Sequence, residues 1–105
     1  MPIGEPFERF QRAGGALNAI VGPTIASTTS ISPTFGVHPV SGTEVVKFIN
    51  APYTGFKGQI VFLPTGAWST SVTTGTSGNI AKAVTAVANV PVIAVYDGTS
   101  WYLKV

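Results

Sequence analysis

Residues 92–105 read Val-Ile-Ala-Val-Tyr-Asp-Gly-Thr-Ser-Trp-Tyr-Leu-Lys-Val, and they decide the fold class. Val92–Tyr96 is a run of branched, small and aromatic side chains that suits a pleated strand. Asp97-Gly98 follows, a dipeptide that tolerates the backbone of a tight turn. Trp101–Val105 then resumes the strand pattern. The stretch predicts a β-hairpin whose turn spans two to four residues.

Working outward, Gln59–Leu63 is a second apolar strand, closed by a turn at Pro64-Thr65-Gly66. Glu44–Ile49 predicts a third, with Val46 and Phe48 on one face. Residues 30–37 alternate weakly around Ile31, Phe35 and Val37, and Pro33 confines them to an edge or bulged strand. His38–Gly42 reads as a turn. Residues 50–58 form a loop rich in Pro, Gly and aromatics, and residues 67–74 are rich in Thr and Ser. Residues 16–29 read as a neutral connector or a first strand. Residues 79–90 fit a helical template at Ile80, Ala83, Val84, Val87 and Ala88, and equally an irregular segment with a strand. Six or seven short strands at this spacing predict an all-β chain, a small antiparallel β-sandwich or barrel.

The 105 residues make one domain. Thr (13) and Ser (8) supply the polar surface, because only ten residues are charged. Four of those ten, Glu5, Glu8, Arg9 and Arg12, fall in the first twelve positions. The chain thus divides into an N-terminal arm and connector (1–29) and a nearly uncharged body (30–105). So little charge is unusual for a free monomer's surface and suits a part made for assembly.

Residues 5–13 predict a short helix, with Pro6 in its first turn and Gly14-Gly15 at its stop. Glu5–Arg9 and Glu8–Arg12 are i,i+4 pairs in the favourable order. Nine residues are too few for a stable isolated helix, so Phe7 and Phe10 must dock on something. The candidates are this chain's own body, a sister chain or another partner. Phe7, Arg9, Phe10 and Arg12 are the candidate docking residues.

The residue inventory disfavours catalysis. The carboxylates are Glu5, Glu8, Glu44 and Asp97; only Glu44 and Asp97 lie in the body, and Asp97 is explained by turn chemistry. His38 is the single histidine and there is no cysteine, so neither a nucleophilic triad nor a usual zinc site is expected. A small glycan-processing enzyme is disfavoured by the poverty of acids. No catalytic, metal or cofactor residue is assigned. No basic cluster exists to track nucleic acid. No apolar run reaches the ~18 residues of a membrane span, and a signal peptide's order is lacking. The chain is expected to be made in the cytoplasm. Trp68, Trp101 and Tyr102, with Tyr53 and Phe56, are candidate core or subunit-interface aromatics, or a glycan-binding platform.

One ordered set of short motifs resembles something specific. It runs His38-Pro39-Val40-Ser41-Gly42-Thr43, Val46…Ile49, Pro52…Gly55-Phe56-Lys57-Gly58-Gln59-Ile60, Gly78-Asn79-Ile80-Ala81 and Tyr96-Asp97-Gly98…Trp101-Tyr102. This order is similar to a small β-rich virion module of tailed bacteriophages, found in capsid decoration (cement) proteins and in fibre or spike tips. The resemblance implies a homotrimeric structural protein on the outer capsid surface, without catalysis, partnered by the major capsid protein. The alternative it leaves is a fibre or spike tip that binds host-surface glycans. It covers roughly residues 35–102, so the arm is read from its own residues.

Overall fold

The computed structural model describes residues 20–72 and 75–105. Phe7, Arg9, Phe10 and Arg12 lie outside the described residues. The chain is all-β. Among the described residues ten short strands follow one another: β1 (Ile25–Ala26), β2 (Ser30–Ile31), β3 (Val37–Ser41), β4 (Val45–Val46), β5 (Phe48–Ile49), β6 (Gly58–Pro64), β7 (Ser69–Thr70), β8 (Ile80–Lys82), β9 (Val92–Tyr96) and β10 (Trp101–Lys104). The one helical piece among the described residues is a 3-10 turn at Gly75–Ser77.

Six strands form the main sheet in the order β1-β3-β6-β9-β10-β8. Two two-stranded ladders, β2-β5 and β4-β7, supply the rest. The expected antiparallel pairing holds for β6–β9 and for the β9–β10 hairpin. The other pairs, β1–β3, β3–β6, β8–β10, β2–β5 and β4–β7, are parallel. A parallel pair needs a long crossover, usually through a helix. Here residues 42–57 make the crossover from β3 to β6, and they carry β4 and β5 instead of a helix.

Three expectations change in detail. His38–Ser41 are part of β3 rather than a turn; the reversal comes at Gly42, whose φ is +85°. Pro39 is tolerated inside the sheet because of where its missing N–H would point. Val37 and Ser41 accept from Gly22 and Ser27 on the β1 side, so Pro39 faces that side too. Pairing lapses there, between the Val21–Val37 bridge and the Ile25–Val40 pair, and no ladder bond is lost. Glu44–Ile49 is not one strand: it breaks at Lys47 into β4 and β5, which pair with different partners. In residues 79–90 the irregular-plus-strand reading holds, with β8, a bridge at Thr85 and a turn where Asn89 takes φ +69°. Ile25–Ala26 adopt the strand reading of residues 16–29 and extend the sheet below the expected body boundary at residue 30.

One face of the main sheet builds the core. Val40, Ile60, Phe62, Ile80, Val92, Ala94, Trp101 and Leu103 are buried there, and the small ladders with the segments beside them cover these side chains with Ile31, Val46, Ile49, Trp68 and Ala86. Burying a large apolar side chain of this kind stabilises by roughly 1.5–3 kcal/mol. Trp101 and Asn79 knit the layers. The Trp101 indole N–H donates to the Ile49 carbonyl at 2.8 Å. The Asn79 side chain accepts from Ile49 N and donates to Ile49 O, both at 2.9 Å, in the manner of a neighbouring strand.

Candidate functional site

His38 is the first residue to place, because it is the only histidine and the structure buries it almost completely. Its Nε2 accepts from Thr34 N and Phe35 N, each at 2.9 Å. Its Nδ1 lies 2.8 Å from the Pro23 carbonyl, which can only accept. The ring is therefore the neutral tautomer with its proton on Nδ1. Gly22 allows the close approach: a Cβ there would sit 2.5 Å from His38 Cε1 and from Phe35 Cδ1. All of the ring's hydrogen-bonding capacity ties two loops to β3.

Asp97 is consumed in the same way. Its Oδ1 accepts from Thr99 N and Ser100 N at 2.8 Å, closing the hairpin turn, and its Oδ2 accepts from the Tyr102 hydroxyl at 3.2 Å. The Ser100 and Thr99 amides hold its carboxyl below the usual carboxylate range, and the nearby Asp97 charge pushes the Tyr102 phenol up. Among the described residues no three His, Cys, Asp or Glu side chains gather as a metal would need.

Trp68 and Trp101 are both fully buried, so neither forms a glycan platform or an exposed subunit anchor. They are core. Trp101 stacks on Tyr96 at 4.7 Å and Trp68 meets Phe62 edge-on at 6.1 Å. Tyr102 is half exposed, on the other face of the sheet.

That other face is where the unexplained apolar surface lies. The register places Gln59, Val95 and Tyr102 in one row and Val37, Val61, Ile93 and Lys104 in the next, with Leu63 beyond. Ile93 is 40 % exposed, Val95 42 % and Tyr102 49 %. A sheet with one solvated face normally alternates apolar and polar residues. This one places branched aliphatics on both faces, and a contiguous exposed apolar patch marks an interaction surface. Val61, Leu63, Ile93 and Val95 were not among the sequence-based candidates. The available signal was the missing alternation in Gln59–Leu63 and Val92–Tyr96, the mark of strands covered on both sides.

At the start of β6 this face runs into a groove of about 470 Å³, lined by Thr34, Phe35, Pro52, Tyr53, Phe56 and Gln59, among others. Tyr53 is 66 % exposed and meets Phe56 edge-on at 5.5 Å. Phe56 stacks in turn on Trp101 and Tyr96, which joins the groove wall to the core. Lys57 is the one charged residue in its lining among the described residues.

Comparison with protein-family models, curated proteins and solved structures finds no match.

Proposed function

We propose that this chain is a structural virion subunit, a capsid decoration (cement) protein that forms homotrimers and clamps adjacent major capsid subunits. It does so without catalysis, cofactor or nucleic acid. The observation that carries this reading is the exposed apolar outer face of the main sheet, on a body with few charges. The resemblance to phage virion modules supports it from another side. Its quoted residues are those that hold this fold together: His38 between two loops, Asn79 against Ile49, Asp97 in the hairpin and Trp101 in the core.

Area sets what the outer face can do alone. Six strands about 4.8 Å apart, with central strands of roughly 17 Å, present a plan area on the order of 400 Å². A standard stable interface takes about 800 Å² from each partner. The sheet face thus supplies about half, and the rest must come from other parts of the chain, the arm included. Clamping across a capsid seam then resists internal pressure by adding buried area to each joint.

Two measurements test this. Native mass spectrometry of the full chain is expected to give three times the 10.9 kDa chain mass; a monomer at tens of micromolar overturns the trimer. Removal of residues 1–15 is expected to abolish binding to expanded phage heads, and full occupancy without them overturns the clamp. A second reading, a fibre or spike tip that binds glycans, is favoured by one observation: exposed Tyr53 beside Thr34 and Gln59 in the groove. Glycan-array binding lost in Tyr53→Ala, with folding intact, selects that reading.

A further inference from the structure

The groove at the start of β6 has an aromatic lining of Phe35, Tyr53 and Phe56. We infer that it seats the arm segment 5–13 of its own chain, with Phe7 and Phe10 against Phe35, Tyr53 and Phe56. This inference stands apart from the virion reading and is tested in the free protein.

Val21 bridges Val37 in parallel, and Gly22 N donates to Val37 O at 2.8 Å. Because the pairing is parallel, the chain traced back from Val21 to Ile20 runs alongside the chain traced back from Val37 to Gly36. Gly36 and Phe35 line the groove. The chain at Ile20–Val21 thus runs along the groove wall.

Phe10 precedes Ile20 by ten residues, a tether of up to about 33 Å. The groove begins beside that anchor, so the tether is longer than needed, and Gly14-Gly15 lets it turn back. A short flexible tether holds a segment at millimolar effective concentration. A second copy at micromolar concentration competes poorly with that.

At helical spacing Phe7 and Phe10 share one face, and Glu5, Glu8, Arg9 and Arg12 fall on the opposite one. The apolar face suits an aromatic groove whose lining carries a single charge, and the charged face is left in water. Nine residues cannot hold a helix alone, and the groove supplies the missing contact. Engagement of any larger partner by the arm then proceeds by exchange out of this seat.

Paramagnetic relaxation in the full chain tests the inference. The chain has no cysteine, so Glu5→Cys accepts a single spin label on the face away from the groove. The label is expected to reduce the amide signals of Thr34–Gly36 and Tyr53–Gln59 at least about two-fold. Val46 and Thr70, in the ladders that cover the core, keep their signals. Phe7→Ser with Phe10→Ser in the labelled chain is expected to restore the groove signals. An equimolar mixture of spin-labelled unenriched chain and isotope-enriched unlabelled chain is expected to show no loss. Overturning results are an unaffected groove, a loss that survives the double serine change, or a loss that appears in the mixture, which would place the arm on a sister chain. A monomeric protein with the expected pattern keeps this inference and removes the trimer.

Discussion

The two faces of the six-stranded sheet are built from the same strands and nearly the same residue types, yet they have different fates. On the inner face Val92, Ala94, Trp101 and Leu103 are buried under the small ladders. On the outer face Ile93, Val95 and Tyr102 stand half open. What separates them is polar bonding across layers. The inner face has Trp101 bonded to Ile49 and His38 bonded to Pro23, Thr34 and Phe35. The described contacts place nothing comparable on the outer face. The comparison teaches that hydrophobicity makes both faces adhesive, and that directional bonds decide which one is closed within the chain.

The largest expected effect is on the inner face. Trp101→Ala removes a fully buried indole and leaves the Ile49 carbonyl with only the Asn79 amide as a side-chain donor, so urea denaturation should show a loss of about 3–5 kcal/mol. His38→Phe keeps a ring but deprives the Thr34 and Phe35 amides of their acceptor. Its expected cost is about 2–4 kcal/mol by the same measurement, and a variant as stable as wild type would show that the ring only fills space. Ile93→Lys should leave the stability of the isolated fold within about 0.5 kcal/mol, as for a surface site, while the mass in solution falls to that of one chain. A loss as large as Trp101→Ala would erase the distinction between the faces.

The smallest effect belongs to the turn that joins β9 to β10. The amides of Ser100 and Thr99 depress the Asp97 carboxyl in the folded state. Its contribution is therefore present above the unfolded value near 3.8 and is lost as pH falls through the folded one. Tyr102 behaves oppositely: its raised phenol contributes below about pH 10 and loses that contribution as pH rises further. Asp97→Asn should flatten the acid limb of hairpin stability, followed through amide exchange of residues 93–104, and leave neutral-pH assembly unchanged.

Much of the fold was legible because it is local. The hairpin of residues 92–104 needs only its own residues, and Gln59–Leu63 reads as a strand from composition alone. The parallel pairs were not legible, because they join segments far apart and nothing local distinguishes a parallel partner. His38–Ser41 misled for a clear reason: His and Pro next to Ser-Gly resemble a turn, and only the lapse in pairing beside β3 makes Pro39 acceptable in a sheet. The outer face was visible in principle as a lack of alternation. The groove was not, since it depends on loops 32–36 and 51–57 meeting at the start of β6. Of the aromatics singled out from sequence, burial removes Trp68 and Trp101 from the surface and leaves Tyr53 and Tyr102 available.

Trp68 carries a smaller lesson. Its indole nitrogen is the one buried side-chain polar atom without a hydrogen-bond partner among the described residues. It packs against Phe62 at nearly a right angle, so shape rather than bonding keeps a tryptophan there.

The place of β10 in the sheet has a consequence for synthesis. This strand follows all the others along the chain, yet it lies between β9 and β8. The sheet cannot close until Trp101–Lys104 has emerged from the ribosome. Each parallel pair also waits on a long connection, which puts folding toward the millisecond-to-second range of β proteins with non-local pairing. During that delay the edge of Val92–Tyr96 that awaits β10 is unpaired, and the strand carries no charge to discourage its pairing with other nascent chains. A nascent chain paused before Trp101 is therefore the species most in need of a chaperone.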